Sequence, residues 1–383
     1  MIRRIEIKNF KSLKDISLEF GNLNLLTGLN SMGKSSIIQA LLVLRQSYAK
    51  GFLNERGLSL KGDLVDIGVA KEVMYEYAKV EEIRFSLHFD GCEQPFNWIF
   101  AYQTNSEIDQ DNFTDSDYLP FSDDAVDANQ YEDNDLGALP LFDKHLKYLN
   151  AEREVRNTYG RSYLEVNRNK NLGNHGEFTA HYLAEFGLQE IVHDELVYPG
   201  TVQKNLIAQV SAWMGEISPG TTVRAEKILG IDAIKLGFEF ATDSGKTREV
   251  TPSNVGYGMT YSLPVIVALL RAEPGDIVIV ENPESHVHPK GQSALGRLIA
   301  LAAKRGVQLF IETHSDHVLN GVRVAVKNGV PDDIVKLFFI SRVKDNGELY
   351  SSISLPKIDK DGRIDSWPEN FFDEWDNNLI ALL

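Results

Sequence analysis

Gly28-Leu29-Asn30-Ser31-Met32-Gly33-Lys34-Ser35 satisfies G-x-x-x-x-G-K-[ST] at every fixed position, between a strand-like run, Asn22 to Thr27, and a helix-like run, Ser35 to Gln46. The second run places Ile37, Ile38, Leu41, Leu42 and Leu44 at helical spacing. A glycine-rich turn before a helix can be no more than a turn. Here the flanking strand and helix meet the structural condition that makes the motif a phosphate-binding loop. The backbone N–H groups of the loop and the N-terminus of its helix are then aimed at the phosphates of a nucleotide. Lys34 neutralises the β and γ oxygens, and the Ser35 hydroxyl holds Mg²⁺.

A chain of 383 residues, 43% of them apolar, has room for two or more domains, or for one large domain with an insertion. Its single cysteine, Cys92, rules out an intramolecular disulfide, fits a reducing compartment and reads as an inert core thiol. The first residues alternate charged and apolar side chains like a strand and lack the apolar stretch of a signal peptide. No window approaches eighteen uninterrupted apolar residues, so the sequence predicts a soluble cytoplasmic protein with no membrane partner.

The net charge of −16 argues against a generally basic, nucleic-acid-binding surface. Its distribution matters more than its size. Residues 104–137 hold eleven acids and no Lys or Arg, and the rest of the chain is only mildly acidic. That segment reads as a solvated acidic loop, with a docking surface for a basic partner or a mimic of nucleic acid as the other readings. A DNA-binding patch elsewhere is weakened by the charge without being removed.

Residues 1–27 read as three strands: Arg3 to Phe10, Asp15 to Phe20 and Asn22 to Thr27. After the loop and its helix, Glu81 to Phe89 and Pro95 to Gln103 suggest an antiparallel pair. Helix-like runs follow at Glu177 to Phe186 and Gln203 to Met214. From Ile234 the pattern alternates between strand and helix, with helices at Ser262 to Arg271, Ser293 to Lys304 and Asp316 to Lys327, and strands at Asp276 to Val280 and Val307 to Glu312. The expected organisation is an N-terminal lobe with the phosphate loop (1–103), the acidic loop (104–137), an inserted middle region (138–233) and a C-terminal lobe (234–383). There is no sustained heptad run, so no long coiled-coil arm is expected.

Two further apolar strands end in polar clusters. Asp276 to Glu281 ends in a carboxylate and continues as Asn282-Pro283-Glu284-Ser285-His286-Val287-His288-Pro289. P-loop ATPases hold Mg²⁺ with a carboxylate so placed. Leu309 to Ile311 runs into Glu312-Thr313-His314-Ser315, and a histidine at such a strand end can contact a γ-phosphate or position water. His286 and His288 read as a dimer-loop feature, since Zn²⁺ would need further ligands and Cys92 is far away in sequence.

These three segments resemble the Walker A, Walker B and switch-histidine motifs of ABC-class ATPases, most of all the OLD-like and SMC-like branch. Asn9-Phe10-Lys11-Ser12 is similar to the turn after the first strand in that branch. Tyr148 to Arg153, Trp213-Met214, Asn254 to Gly258 and Asp361 to Pro368 are similar to segments of stand-alone bacterial OLD-like ATPases. The resemblance implies an α/β fold: an ABC-class P-loop ATPase head with an N-terminal antiparallel β subdomain and an inserted mixed, mainly helical middle region. It implies ATP and Mg²⁺ as cofactors and an ATP-promoted homodimer in which one subunit's Walker A site is completed by the other's signature segment. Nucleotide contacts then fall on Lys11, Asn30, Ser31, Met32, Gly33, Lys34, Ser35 and Ser36, and across the dimer on Ser253, Gly256 and Gly258. Ser35 and Glu281 take the metal, and Glu281, Glu284 and His314 are catalytic.

Two positions depart from the family pattern. Ser253 to Gly258 stands where a Ser-Gly-Gly-type signature is usual. Asn282 stands where the water-polarising glutamate is usual, and an amide cannot accept a proton. The base is then Glu284, His314 or Glu312, or turnover is slow. The expected function is a cytoplasmic, ATP-controlled dimeric clamp or sensor that works with a separate effector protein, in anti-phage defence or DNA maintenance. Only about seventy residues follow the switch histidine, too few for a Toprim nuclease domain. The other readings are a RecF-like mediator that clamps DNA and a non-hydrolysing scaffold that uses ATP only to dimerise.

Overall fold

The computed structural model describes residues 1–101, 116–122, 133–369, 371, 372, 378–380 and 382. Most of the expected acidic loop, 104–115 and 123–132, therefore lies outside the described residues. The chain opens with β1 (Ile2–Phe10), β2 (Leu13–Glu19), β3 (Leu23–Gly28), α1 (Lys34–Ala49), the short α2 (Phe52–Glu55), β4 (Gly57–Ser59) and α3 (Ala70–Val73). It continues through β5 (Glu82–Phe89), β6 (Phe96–Ala101), β7 (Tyr118–Pro120) and α4 (Asp133–Gly137). The middle carries β8 (Leu146–Leu149), β9 (Thr158–Gly160), a π-helix at Tyr163–Arg168, α5 (Thr179–Phe186), α6 (Leu206–Ile217) and β10 (Thr221–Lys227). The last part comprises β11 (Ala233–Thr242), β12 (Gly245–Lys246), α7 (Tyr257–Arg271), β13 (Ile277–Glu281) and α8 (Pro289–Lys304). These are followed by β14 (Gln308–Glu312), α9 (Asp316–Lys327), β15 (Val335–Asp345) and β16 (Glu348–Ser354).

The central sheet has the order β16-β15-β3-β14-β13-β8. Strands β15, β3, β14, β13 and β8 run parallel, and β16 closes one edge antiparallel. The near-continuous apolar runs of β3, β13 and β14 follow from burial on both faces. A second, antiparallel sheet, β2-β1-β5-β6, forms the N-terminal β subdomain. Its alternation of buried and exposed residues marks a sheet with one wet face.

Each face of the central sheet has its own core. One cluster joins Ile277, Ile279, Phe310 and Phe338 to α1 and the antiparallel sheet. The other joins Val278, Val280, Leu309 and Ile311 to α5, α6, α7, α8 and α9. The alternation of these residues along β13 and β14 follows directly from the period of two in a strand. Helix α1 lies between the two sheets, which accounts for its burial on every side.

The fold corrects four expectations. Residues 138–233 have no core of their own: Tyr182, Val210 and Trp213 share a cluster with Ile266, Leu269 and Leu298. Strand β8, inside that stretch, is the edge strand of the central sheet, in register with β13 from Ile277↔Leu146 to Val280↔Leu149. The boundary at 233/234 divides the β10–β11 hairpin, whose pairing runs from Thr221↔Phe240 to Lys227↔Ile234. Helix α7 starts at Tyr257 rather than Ser262, so Pro264 lies in its interior rather than in its first turn, and Cys92 is exposed beyond β5 rather than buried in a core. Among the described residues no helix is long and apolar enough to cross a membrane.

Candidate nucleotide site

The C-terminal ends of β3, β14 and β13 lie side by side, and in parallel α/β sheets this rim is where ligands bind. β3 ends in the phosphate loop. Gly28 has φ +135° and a Cβ there would meet the Ile340 carbonyl oxygen at 2.2 Å; Gly33 has φ +101° with Ser351 Oγ and Ser12 Oγ at 2.5 and 2.6 Å. Both positions require glycine on conformation and on space. The loop is clamped from outside: Ser351 donates to the Met32 carbonyl (2.6 Å), Ser351 and Ser12 hydrogen-bond (2.7 Å), and Arg342 donates to the Ser31 carbonyl.

Lys34 is 3% exposed, and its Nζ donates to the carbonyls of Gly28 (2.9 Å) and Leu29 (2.7 Å). The Ser35 hydroxyl donates to Glu312 Oε1 at 3.0 Å. Glu312 is the ladder partner of Glu281, so two strand ends set two carboxylates beside each other. A cavity of about 960 Å³ is lined by Lys11, Asn30, Ser31, Gly33, Lys34, Ser35 and Ser36, and from the strand ends by Asn282, Glu312 and His314. Lys11 Nζ reaches Gln39 on α1 at 2.7 Å.

Glu281 and Glu284 sit behind this wall. Tyr148 donates its hydroxyl to Glu281 Oε1 (2.9 Å), and Arg153 Nη2 donates to the Glu281 carbonyl (2.9 Å). Glu284 Oε1 accepts the N–H of His314 at 2.7 Å, so this carboxylate fixes the backbone that carries the histidine. Met32 turns its side chain to the core and offers only backbone to the loop. Ser253, Gly256 and Gly258 do not line the cavity: Ser253 N bonds Asn157, and a Cβ at Gly258 would meet the His286 carbonyl oxygen at 2.5 Å. His288 caps α8 through Nδ1.

Sequence reasoning did not assign Tyr148, Arg153 or Arg342 to the site. The first two are delivered by β8 and the loop after it, the third by β15. Arg153 is 6% exposed, and its Nε and Nη1 have no hydrogen-bond partner among the described residues.

Burial raises the carboxyl of Glu281, against the pull of Tyr148, the Ala151 N–H and Arg153. Burial also raises Glu284, against hydrogen bonds that include the His314 N–H. Glu312 goes furthest, pushed up to about 7 by burial and then by the charge of Glu281. Burial and the neighbouring Lys34 lower His314, so its imidazole is neutral at pH 7. Glu312 Oε2 and Asn282 Oδ1 are buried acceptors with no donor among the described residues. Two such acceptors facing a glycine-lined loop and a lysine fit Mg²⁺ with a polyphosphate.

The raised Glu312 carries a stability cost in the nucleotide-free protein. Its folded pKa of about 7 exceeds the ordinary 4.5, so the cost of its charge grows as pH rises through that window and is complete above it. Glu312→Gln is expected to raise the melting temperature at pH 8 without ATP or Mg²⁺ by a few degrees, on the order of 2 kcal/mol, and to leave it unchanged at pH 4.5. Thermal melts at the two pH values check this; an equal gain at both means the charge is not the cause.

The sequence matches the family described as "AAA domain, putative AbiEii toxin, Type IV TA system" over residues 23–320, and that described as "Protein of unknown function (DUF3696)" over residues 330–382. It is 24% identical over 345 residues to the OLD nuclease of Thermus scotoductus, covering 82% of this chain and 59% of that protein. The chain thus spans about three fifths of the length of this curated relative. Among solved structures it is similar to the SMC head domain from Thermotoga maritima (12% identity, 92% of this chain and 98% of that one, TM-score 0.47). It is also similar to an SMC head bound to the C-terminal winged-helix domain of ScpA (14% identity, 94% and 98%, TM-score 0.49). With a Walker A loop on β3 and carboxylates at the ends of β13 and β14, the chain belongs to the AAA-domain family.

Proposed function

We propose that this chain binds and hydrolyses ATP as one half of a homodimer that closes on nucleotide and signals its state to a separate effector protein. One observation carries the dimer: Lys34, Ser35, Glu312 and His314 line one cavity, while Ser253 and Gly256 lie exposed elsewhere, at the start of α7. A Cβ on Gly256 would have nothing within 4 Å, so its backbone is open to a second subunit's nucleotide. A pair related by a two-fold axis completes both sites at once.

In this reading Lys34, now on the Gly28 and Leu29 carbonyls, would hold phosphate oxygens, and Ser35 with Glu281 and Glu312 would hold the metal. Mg²⁺, when bound, supplies charge neutralisation at the β and γ oxygens. Neutral His314 orients the attacking water and accepts its proton at a ring nitrogen. Glu284 holds the histidine loop. A toxin–antitoxin system in the family description and a nuclease as relative support a role in defence or DNA maintenance.

Light scattering with a slowly hydrolysed ATP analogue is expected to show monomers becoming dimers. Gly256→Arg, which has space for its side chain in the monomer, is expected to abolish the shift while leaving the melting temperature and single-site ATP binding unchanged. A chain that stays monomeric with nucleotide overturns the clamp. Dimers without phosphate release select the scaffold reading.

A further inference from the structure

A second cavity, of about 360 Å³, opens at the other end of the central sheet. It lies beside the start of β8, the residue before β13 and the last turn of α7. The five residues of β13 put it about 15 Å from the nucleotide rim. In a chain of net charge −16, its walls gather Lys144, Lys147, Arg168, Lys170 and Arg271.

The acids there are already engaged. Asp276 bonds His145 Nδ1 (2.7 Å), Glu273 pairs with His193 (3.3 Å) and Arg305 (3.4 Å), and Glu190 accepts the Tyr182 hydroxyl (2.6 Å) with Lys170 at 3.8 Å. Lys144, Lys147, Arg168 and Arg271 have no carboxylate ion-pair partner among the described residues. Arg271 stacks its guanidinium 4.3 Å over the Tyr182 ring, and its Nη1 is buried without a hydrogen-bond partner. Lys147 Nζ has the Lys144 carbonyl as its acceptor. Two cations without a carboxylate partner thus share a half-buried cavity, one of them held over an aromatic face.

We propose that this cavity binds a small phosphate-type anion of two or more charges, held between Lys147 and the guanidinium fork of Arg271. A planar guanidinium fork suits an oxyanion, and two adjacent cations favour a ligand with two or more charges over a single carboxylate. The volume admits a pyrophosphate or a small phosphomonoester. Lys147 is pushed down to about 8 by burial and by Arg271 and Lys144, with Asp276 and Asp143 opposing. An anion seated there favours the charged lysine, so binding at pH 8 takes up protons.

Pyrophosphate is the probe, titrated calorimetrically without Mg²⁺ into Lys34→Ala protein, so that the phosphate loop does not report. One-to-one binding is expected, with a heat that depends on buffer ionisation at pH 8. Lys147→Met and Arg271→Met, each in the same background, are expected to weaken it at least about tenfold. Lys147→Arg is expected to retain it, and circular dichroism checks that each variant folds. No binding in the Lys34→Ala protein, or equal affinity in both Met variants, overturns the site. A ten-nucleotide oligothymidylate that binds where pyrophosphate does not also overturns it, in favour of a nucleic-acid surface. None of these outcomes depends on ATP turnover, so this site and the ATPase reading stand or fall separately.

Discussion

Lys34→Ala is expected to lower ATP hydrolysis at least ~10²-fold, the effect typical of removing one preorganised donor to developing charge. The ammonium is 3% exposed and already turned onto the Gly28 and Leu29 carbonyls, at the mouth of the loop where phosphates would seat. Its desolvation holds the pKa below the ordinary lysine value while Glu312 opposes the shift. A polyphosphate would replace two carbonyls by full negative charges, so the lysine gains most when nucleotide arrives. The fold should survive: the loop is clamped by Ser351, Ser12 and Arg342, none of which needs Lys34. Calorimetry with ATP and Mg²⁺, phosphate release and a melting curve together check the result. Unchanged affinity with unchanged turnover means that this loop is not the site.

The second large effect separates His314 from Glu284. His314→Ala is expected to reduce turnover ~10²-fold or more with ATP binding kept, since general-base and water-positioning groups are typically worth ~10²–10⁴. Glu284→Gln is expected to stay within a few-fold of the parent, because an amide oxygen can accept the same His314 N–H. Glu284→Ala releases that N–H and should fall between the two. Asn282→Glu is a poor repair. Asn282 has φ +45°, a left-handed conformation that asparagine tolerates and glutamate resists, at ~1–2 kcal/mol. Steady-state phosphate release across the four variants decides. Parent-like turnover in His314→Ala removes the histidine from the mechanism, and a loss in Glu284→Gln as large as in Glu284→Ala makes Glu284 the base.

The phosphate loop, its helix and the two acid-ended strands were legible because each is local. A strand, a turn and a helix lie within thirty residues, and apolar periodicity marks them. The antiparallel N-terminal pair was legible for the same reason. Strand β8 was not: Leu146-Lys147-Tyr148-Leu149 is too short to show a period, and its strand character comes from pairing with β13. Arg153 reaches the Glu281 carbonyl across 128 positions, Glu312 reaches Ser35 across 277, and Arg342 reaches Ser31 across 311. Spacing within a motif carries no information about contacts of that range. The middle region looked like an insertion because its helices follow a change of pattern, yet its apolar faces need α7 and α8 to be covered.

Helix α1 leaves the phosphate loop with Ile37, Ile38, Ala40, Leu41, Leu42, Val43 and Leu44 all fully buried. A wedge gripped on every side has no play. Tilting it alone would open voids against both sheets, at about 1 kcal/mol for each methylene deprived of its neighbours, and close-packed interiors jump between arrangements rather than yield gradually. Because one apolar cluster joins α1 to both the β2-β1-β5-β6 sheet and the central sheet, the helix moves with both sheets or not at all.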